Sequence, residues 1–317
     1  MRTSDTDLRS VFRLHHDRPW IFLRNLGNWG DILLFKGAET LASRAGVEWR
    51  SYEAPEFEKL EITPDHCIYL QGGGGFNDWS SGRAFVNLGL AAQSPAHLVV
   101  QGPMSIGGDA DWLRHRFSES LSRVRCGSIC MFAREHHTMD TLERINLSDQ
   151  GVTLYQDHDT ALAFSRKDVL ELAELTEVSA SRYDLFVARE DPERPDVQSG
   201  TTSHSTNSSS STIVLDPAYD AVSFRHWLRI HLLARSITTN RLHSSILGCI
   251  AGLPVTLGPG SYHKNRSVWE FSLKGNGPTW VDTLTVPRTP WQRLPVRLRE
   301  SYKLRQIRLW WHKAPLS

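Results

Sequence analysis

The chain has 317 residues, which is more than one hydrophobic core usually supports, so we expect two domains of comparable size. It carries 36 Lys and Arg residues against 35 Asp and Glu residues, and the formal charge of +1 gives no overall field that would concentrate a nucleic acid. We therefore predict no nucleic-acid partner, and any site for an anion must be local.

Short apolar runs that end in glycine or polar residues alternate with helix-like stretches, which is typical of an α/β fold with parallel sheets. The predicted strands are Trp20–Leu23, His66–Leu70, His97–Gln101, Val152–Tyr155, Leu185–Ala188, Thr212–Leu215, Ser236–Thr239 and Pro254–Leu257. The predicted helices are Asp31–Ala45, Ala84–Ala92, Ala110–Ser120, Met139–Arg144, Ala218–Ala234 and Leu242–Ala251.

These elements predict two Rossmann-like domains that face each other across a cleft, residues 1–180 and residues 181–317. Ligands of such sheets bind at the carboxyl ends of the strands. The stretch Asp191–Thr212 is rich in Ser and Thr and poor in apolar residues, which predicts a mobile loop inside the second domain.

Glycine and polar residues follow the first three predicted strands. Gly27 and Gly30 flank Asn28 and precede Asp31 at a helix start, where free N–H groups can meet an anion; the simpler interpretation is that Asp31 only caps the helix. Four glycines, Gly72–Gly75, then precede Asn77 and Asp78. The third strand runs into QGPMSIGG, so one edge of the sheet is expected to form the wall of a cleft.

Cationic side chains follow the strands of the second domain. Arg189 comes directly after a strand, where it can bind an anion through paired hydrogen bonds; the alternative is an ion pair with the acids beside it. Arg241 and His243 lie at the first turn of a helix, and Lys264 follows the next strand. Side chains and helix N–H groups there favour a phosphate or a carboxylate.

Together these segments resemble the polysaccharide pyruvyl transferase family, whose members join phosphoenolpyruvate to saccharide hydroxyls. The resemblance covers roughly residues 20 to 270 and keeps the order of the family's motifs. The matching segments are Gly27–Asp31, Gly72–Asp78, Gln101–Gly108, Ala133–Glu135, Gln156–Leu162, Ala188–Asp191 and Arg241–Val255. The sequence departs from the common pattern after Ala133–Glu135, where His136 and His137 replace a run of small polar residues.

The resemblance implies a fold like that of the GT-B glycosyltransferases, with phosphoenolpyruvate held between the two halves. The implied donor-binding residues are Asn28, Gly73, Gly74, Gly75, Arg189, Arg241 and His243. Lys264 is added as a candidate because it follows a strand of the same domain. The expected reaction needs an acid, a base and an anion clamp. Asp31 and Asp78 are the candidate acid and base, and His243 can protonate the departing phosphate because histidine titrates near neutral pH.

No cofactor is expected beyond phosphoenolpyruvate as substrate. No local group of His, Cys and carboxylate residues has the spacing of metal ligands, so the sequence predicts no metal. The acceptor is expected to be a saccharide, free or carried on a lipid, as in the synthesis of bacterial exopolysaccharide or cell-surface glycan. Two alternatives stay open: a glycosyltransferase of the same architecture that uses a nucleotide sugar, and a non-catalytic sugar-binding protein of a polysaccharide assembly complex.

The C-terminal stretch, residues 293–317, is basic with Leu, Ile and Trp interleaved. We interpret it as a helix packed across both domains, with contact to anionic lipid as the alternative. The sequence shows neither a secretory leader nor about 18 successive apolar residues. It thus predicts a cytoplasmic protein, with peripheral contact at the inner face of the membrane as the variant of that prediction.

Overall fold

The computed structural model describes residues 6–25, 27–177, 183–189, 191, 193, 211–275 and 277–285. The basic stretch 293–317 and most of the Ser/Thr-rich stretch Asp191–Thr212 lie outside these residues. Within the described part, the strands form two parallel sheets, one in each half of the chain. The mixed α/β class expected from the sequence is therefore confirmed.

The first sheet has the strand order β2-β1-β3-β5-β6-β7, and β4 pairs with the far end of β5. Its strands are β1 (Trp20–Leu23), β2 (Trp49–Tyr52), β3 (Cys67–Leu70), β4 (Gly73–Phe76), β5 (Leu98–Ile106), β6 (Ser128–Ala133) and β7 (Val152–Gln156). Its helices are α1 (Leu8–Leu14), α2 (Trp29–Arg44), α3 (Ala54–Phe57), α4 (Arg83–Gln93), α5 (Ala110–Ser120) and α6 (His136–Arg144). Helix α7 (Arg166–Leu172) follows β7 in the chain and packs in the core of the second sheet. Apolar side chains on both faces of β1 and β3 are buried, as expected for a parallel sheet covered on two sides.

The second sheet has the order β12-β11-β10-β8-β9. Its strands are β8 (Tyr183–Val187), β9 (Ser211–Leu215), β10 (Ser236–Thr239), β11 (Val255–Leu257) and β12 (Thr279–Trp280). Its helices are α8 (Pro217–Asp220), α9 (Phe224–Leu232), α10 (Leu242–Ile250) and α11 (Lys264–Val268), the last continuing as a π-helical segment, Trp269–Leu273.

Helix α2 packs against the cores of both sheets. Its Leu33 belongs to the core of the second sheet, whereas Phe35 belongs to a core of the first. The indole nitrogen of Trp29 donates to the carbonyl of Ala221 at 3.1 Å. The structure thus fixes α2 of the first half against the helices of the second half.

Residues 161–173 also pack in the core of the second sheet, although they precede the predicted boundary at residue 180. Among them, Ala161, Phe164 and Val169 contact the same core as α9 and α10. By its packing, this segment therefore belongs to the core of the second half. Within the described residues, no helix combines the length and the apolar character needed to cross a membrane.

Strands β2, β6 and β12 and helices α1, α3 and α7 were not predicted. Three further details differ from the predicted elements. The glycine run, expected only as the glycine-rich end of a strand, is itself a strand, β4. Strand β5 continues beyond Gln101 to Ile106, because the register shift between Gln101 and Met104 accommodates Pro103 in the sheet. The helix predicted over 218–234 is broken, since the Ser223 hydroxyl accepts from the amide of His226 at 3.1 Å and starts α9 there.

Candidate functional site

A cavity of about 190 Å³ opens where the strands of both sheets end. Its lining follows the carboxyl ends of β1, β3 and β6 in the first sheet and of β8, β10 and β11 in the second. Eight of the predicted site residues line it: Asn28, Asp31, Gly74, Gly75, Arg189, Arg241, His243 and Lys264. The cavity is therefore the candidate functional site.

Two predicted site residues lie outside this lining. Asp78, a candidate acid or base, is exposed in the turn after β4, beside Gly108. Gly73 has a φ of 107°, a left-handed conformation that suits glycine, and its backbone lies next to the Asp31 carboxylate. The structure thus leaves Asp31 in the cavity without Asp78 as its partner.

The start of α2 supplies polar groups to the first wall of the cavity. The Asn28 side chain accepts from the amide of Gly30 at 2.8 Å, and the amide of Asn28 donates to Asp31 Oδ2 at 2.9 Å. These bonds satisfy amides that a helix start leaves free. One carboxylate oxygen of Asp31, Oδ2, therefore caps the helix, as the simpler interpretation expected. The other oxygen, Oδ1, faces the backbone of Gly73.

Arg241 is held as a buried ion pair behind the cavity surface. Its Nε and Nη2 donate to the two oxygens of Asp216 at 2.5 Å each, and Nη2 lies 3.0 Å from Asp191 Oδ2. Burial by itself would lower the pKa of Arg241, but the bonds and charges of Asp216 and Asp191 raise it. Arg241 is thus a fixed cation, because its guanidinium forms a bidentate pair of hydrogen bonds with Asp216.

Arg189 and Lys264 share a carboxylate. Arg189 Nη1 lies 2.7 Å from Glu193 Oε2, and Lys264 Nζ lies 2.5 Å from the same oxygen. Arg189 Nε also donates to Asp191 Oδ1 at 2.5 Å. Burial would raise the pKa of Glu193, but the charges of Lys264 and Arg189 hold it below its usual range. Arg189 thus forms ion pairs with the acids that follow it, Asp191 and Glu193, which was the alternative expected from the sequence.

His243 extends from the start of α10 onto the start of α2. Its ring lies against Gly30, where an added Cβ would collide with the imidazole. Its Nε2 lies 3.5 Å from Asp159 Oδ2, which also accepts from Arg134 Nη1 at 2.6 Å. Burial would raise the pKa of Asp159, but His243 and Arg134 hold it well below its usual range. Asp159 is therefore an ionised group behind His243.

Several residues of the site were not predicted. Arg83, at the start of α4, is exposed in the cavity lining, and among the described residues it forms no ion pair. Arg134 lines the cavity almost fully buried, fixed by Asp159 and by Ser105 Oγ at 2.9 Å from its Nε. Arg134 belongs to a segment that matches the family, so the sequence could have indicated it as a site residue. Its ion pair with Asp159 could not be predicted, because the two residues come from different segments of the chain.

A cluster of possible metal ligands lies next to these residues in the chain. Glu135, His137 and His263 each offer a ligand atom, and these atoms all lie within 4.8 Å of one another. The sequence predicted no metal because it was read for local spacing, whereas His263 comes from the other half of the chain. The fold therefore supplies a constellation that local spacing does not reveal.

No protein-family model and no curated protein matches this chain. The solved structure of an uncharacterized protein from Klebsiella pneumoniae subsp. pneumoniae is similar to it, with a TM-score of 0.61 and 18% sequence identity. The similarity covers 88% of this chain and 100% of that one. At this identity it shows the fold alone, a mixed α/β fold with parallel sheets of the Rossmann-like kind.

Proposed function

We propose that this protein transfers a pyruvyl group from phosphoenolpyruvate to a saccharide, in a cleft between two Rossmann-like domains arranged as in GT-B enzymes. The observation that carries the proposal is the cavity in which Arg189, Arg241 and Lys264 of one half meet the backbone of Gly74 and Gly75 of the other. Glycine lets a ligand approach the backbone closely, and the cations provide an anion clamp.

The size of the cavity favours a small donor. Sites for drug-sized ligands usually enclose about 300 to 1,000 Å³, whereas this cavity has about 190 Å³. Phosphoenolpyruvate is compact and carries a phosphate and a carboxylate, so its charge is high for its volume. A nucleotide sugar would need further space, which makes the glycosyltransferase alternative the less favoured donor choice here.

The donor's anionic groups have separate candidates for their partners. Arg83 is exposed and free of ion pairs among the described residues, so it can bind an anion without losing a partner. Lys264 and Arg189 are bound to Glu193, which an incoming anion must displace or neutralise. Arg241 contributes its fixed charge while it stays paired with Asp216.

The proposed reaction begins with a proton transfer to the methylene carbon of phosphoenolpyruvate, which makes C2 electrophilic. A sugar hydroxyl adds to C2 and loses its proton to a base, and the C2–O bond to phosphate breaks. A second hydroxyl of the same sugar then adds, and a cyclic pyruvate ketal and inorganic phosphate result. Asp31 and His243 are the acid and base candidates that line the cavity, with ionised Asp159 behind His243 stabilising an imidazolium.

The acceptor and its setting belong to the same proposal. We place the reaction in the cytoplasm during synthesis of an exopolysaccharide or a cell-surface glycan, with the acceptor free or carried on a lipid. The basic stretch 293–317 supports transient contact with an anionic membrane surface through its composition.

The test is calorimetric titration of the protein with phosphoenolpyruvate, with UDP-sugars and GDP-sugars in parallel. We expect micromolar to millimolar binding of phosphoenolpyruvate, about −8 to −4 kcal/mol, and no comparable binding of nucleotide sugars. Arg83→Gln should weaken that binding without loss of folding, because Arg83 is exposed. Arg166→Gln, an exposed arginine at the start of α7 outside the cavity lining, is the matched control. Tight binding of a nucleotide sugar with none of phosphoenolpyruvate would overturn the proposal.

A further inference from the structure

The side chains of Glu135, His137 and His263 converge beside the cavity. Glu135 directly follows Arg134, and His263 directly precedes Lys264, and both of these neighbours line the cavity. Glu135 and His137 belong to the start of α6 in the first half, whereas His263 precedes α11 in the second. The cluster therefore lies where the two halves of the chain meet.

The separation between Glu135 and His263 fits two ligands of one ion. His263 Nε2 lies 3.6 Å from Glu135 Oε1, which is beyond the ~2.7–3.2 Å of a good N–H···O hydrogen bond. Zinc binds His nitrogen and carboxylate oxygen at about 2.0–2.2 Å, which places two ligand atoms of a tetrahedral site about 3.3–3.6 Å apart. The observed separation is an ion-pair distance for a protonated His263, and it also fits two ligand atoms of one ion.

Within the described part of the chain, one ring nitrogen of the cluster lacks a hydrogen-bond partner, and the buried carboxylate has no Lys or Arg beside it. His263 Nε2 is buried and has no hydrogen-bond partner in the described structure. Glu135 is completely buried, and no Lys or Arg among the described residues pairs with it. Thr138 satisfies part of the Glu135 carboxylate, and a cation between Glu135 and His263 would balance the remaining buried charge and give the ring nitrogen a partner.

The remaining contacts place His137 as a third possible ligand and hold the Glu135 carboxylate in one orientation. The ring of His137 stacks on that of His263 with a centroid separation of 3.6 Å, and His137 is exposed, so its side chain can turn towards the ion. The amide of Thr138 donates to Glu135 Oε2 at 2.9 Å, and the Thr138 hydroxyl donates to Oε1. Such outer hydrogen bonds orient the ligands of metal sites.

We propose that Glu135, His137 and His263 bind a divalent transition metal, with Zn²⁺ as the fitting ion, and that the ion joins the two halves of the chain beside the cavity. Two imidazoles and one carboxylate are a ligand set that zinc accepts, and three protein ligands leave a fourth position for water or a ligand. The site does not depend on the identity of the donor, so it stands or falls separately from the proposed function.

The experiment uses full-length protein without a histidine tag, freed of metal by chelation. Zn²⁺ is titrated in competition with a chromogenic chelator, and Co²⁺ is added in parallel to record its visible absorption. We expect one equivalent of Zn²⁺ to bind, a tetrahedral Co²⁺ spectrum, and a rise in melting temperature on loading. His137→Ala and His263→Ala should each weaken Zn²⁺ binding at least about tenfold.

The matched control is His136→Ala, which removes the neighbouring exposed histidine; its ring contacts Phe271 outside the cluster. His136→Ala should bind Zn²⁺ as the wild type does, and circular dichroism checks that each variant is folded. Two results would overturn the proposal: wild-type protein that takes up no Zn²⁺, or folded His137→Ala and His263→Ala variants that bind it with unchanged affinity and spectrum.

Discussion

Glu193 neutralises two cations of the cavity, and its removal tests whether those cations serve a donor. Glu193 Oε2 lies 2.5 Å from Lys264 Nζ and 2.7 Å from Arg189 Nη1. An anion that bound the same two cations would lie about 5 Å from Glu193, where two like unit charges repel by about 3 kcal/mol at an effective dielectric constant of 20. Glu193→Gln removes that repulsion and nearly preserves the shape of the side chain.

Two opposite effects should follow from Glu193→Gln. The affinity for phosphoenolpyruvate should rise at least about tenfold, because solvent screening leaves roughly half of the Coulomb repulsion, and about 1.4 kcal/mol is one factor of ten. The free protein should lose about 1–3 kcal/mol of stability, because two partly buried cations lose a charged partner. Addition of phosphoenolpyruvate should then raise the melting temperature of the variant more than that of the wild type.

Calorimetry measures the affinity, and a thermal melt with and without phosphoenolpyruvate measures the stability. Glu119→Gln is the control, because it removes an equivalent carboxylate from the exposed face of α5, where Glu119 pairs with Arg116 and His115. If folded Glu193→Gln binds phosphoenolpyruvate no more tightly than the wild type does, the cations bound by Glu193 do not form the donor site. If the wild type binds no phosphoenolpyruvate at all, the proposed donor itself is wrong.

Three further predictions concern buried groups around the cavity. Arg241→Ala should cost about 3–5 kcal/mol in urea denaturation because it leaves buried Asp216 without its guanidinium; a loss under about 1 kcal/mol contradicts this. Burial lowers the pKa of His231 to about 4, so the unfolded state takes up a proton at a higher pH than the folded state does. The free energy of unfolding should therefore fall by about 2 kcal/mol between pH 7.5 and pH 5. An equally steep fall in the His231→Gln variant refutes this prediction. Gly30→Ala should displace His243 and weaken phosphoenolpyruvate binding in calorimetry, and unchanged affinity argues against a donor contact by His243.

Burial alone does not decide which strands the sequence predicts, since β10 is only partly buried whereas β6, buried from Ile129 to Ala133, was not predicted. The bounds of β1 and β10 were predicted correctly because each is a short run of β-branched or apolar residues with clear ends. Strand β2, with the sequence WRSY, was missed because it lies at a sheet edge, where its polar side chains reach water. The glycines of β4 were not predicted as a strand, because glycine has no side chain to show a strand's alternation.

The cations of the site were predictable, whereas their partners were not. Arg189 and Arg241 each follow a strand, and parallel strands bring such positions to one edge of the sheet. Asp216 follows β9, far from Arg241 in the sequence, and no local pattern indicates the pair. His263 joins Glu135 and His137 only after the two halves have packed together, and for the same reason this group of possible ligands is not visible in the sequence.

The carboxylates around the cavity explain how a chain of nearly neutral charge can hold several cations close together. Asp191, Glu193 and Asp216 bind Arg189, Arg241 and Lys264, so these three cations carry little unpaired charge in the free protein. Asp216 is completely buried, whereas Asp191 and Glu193 reach the solvent in part. A donor with one carboxylate and one phosphate could replace these last two groups while Asp216 keeps Arg241 in place. Under the proposed function, binding is then an exchange of anions, and its affinity depends on how weakly Asp191 and Glu193 are held.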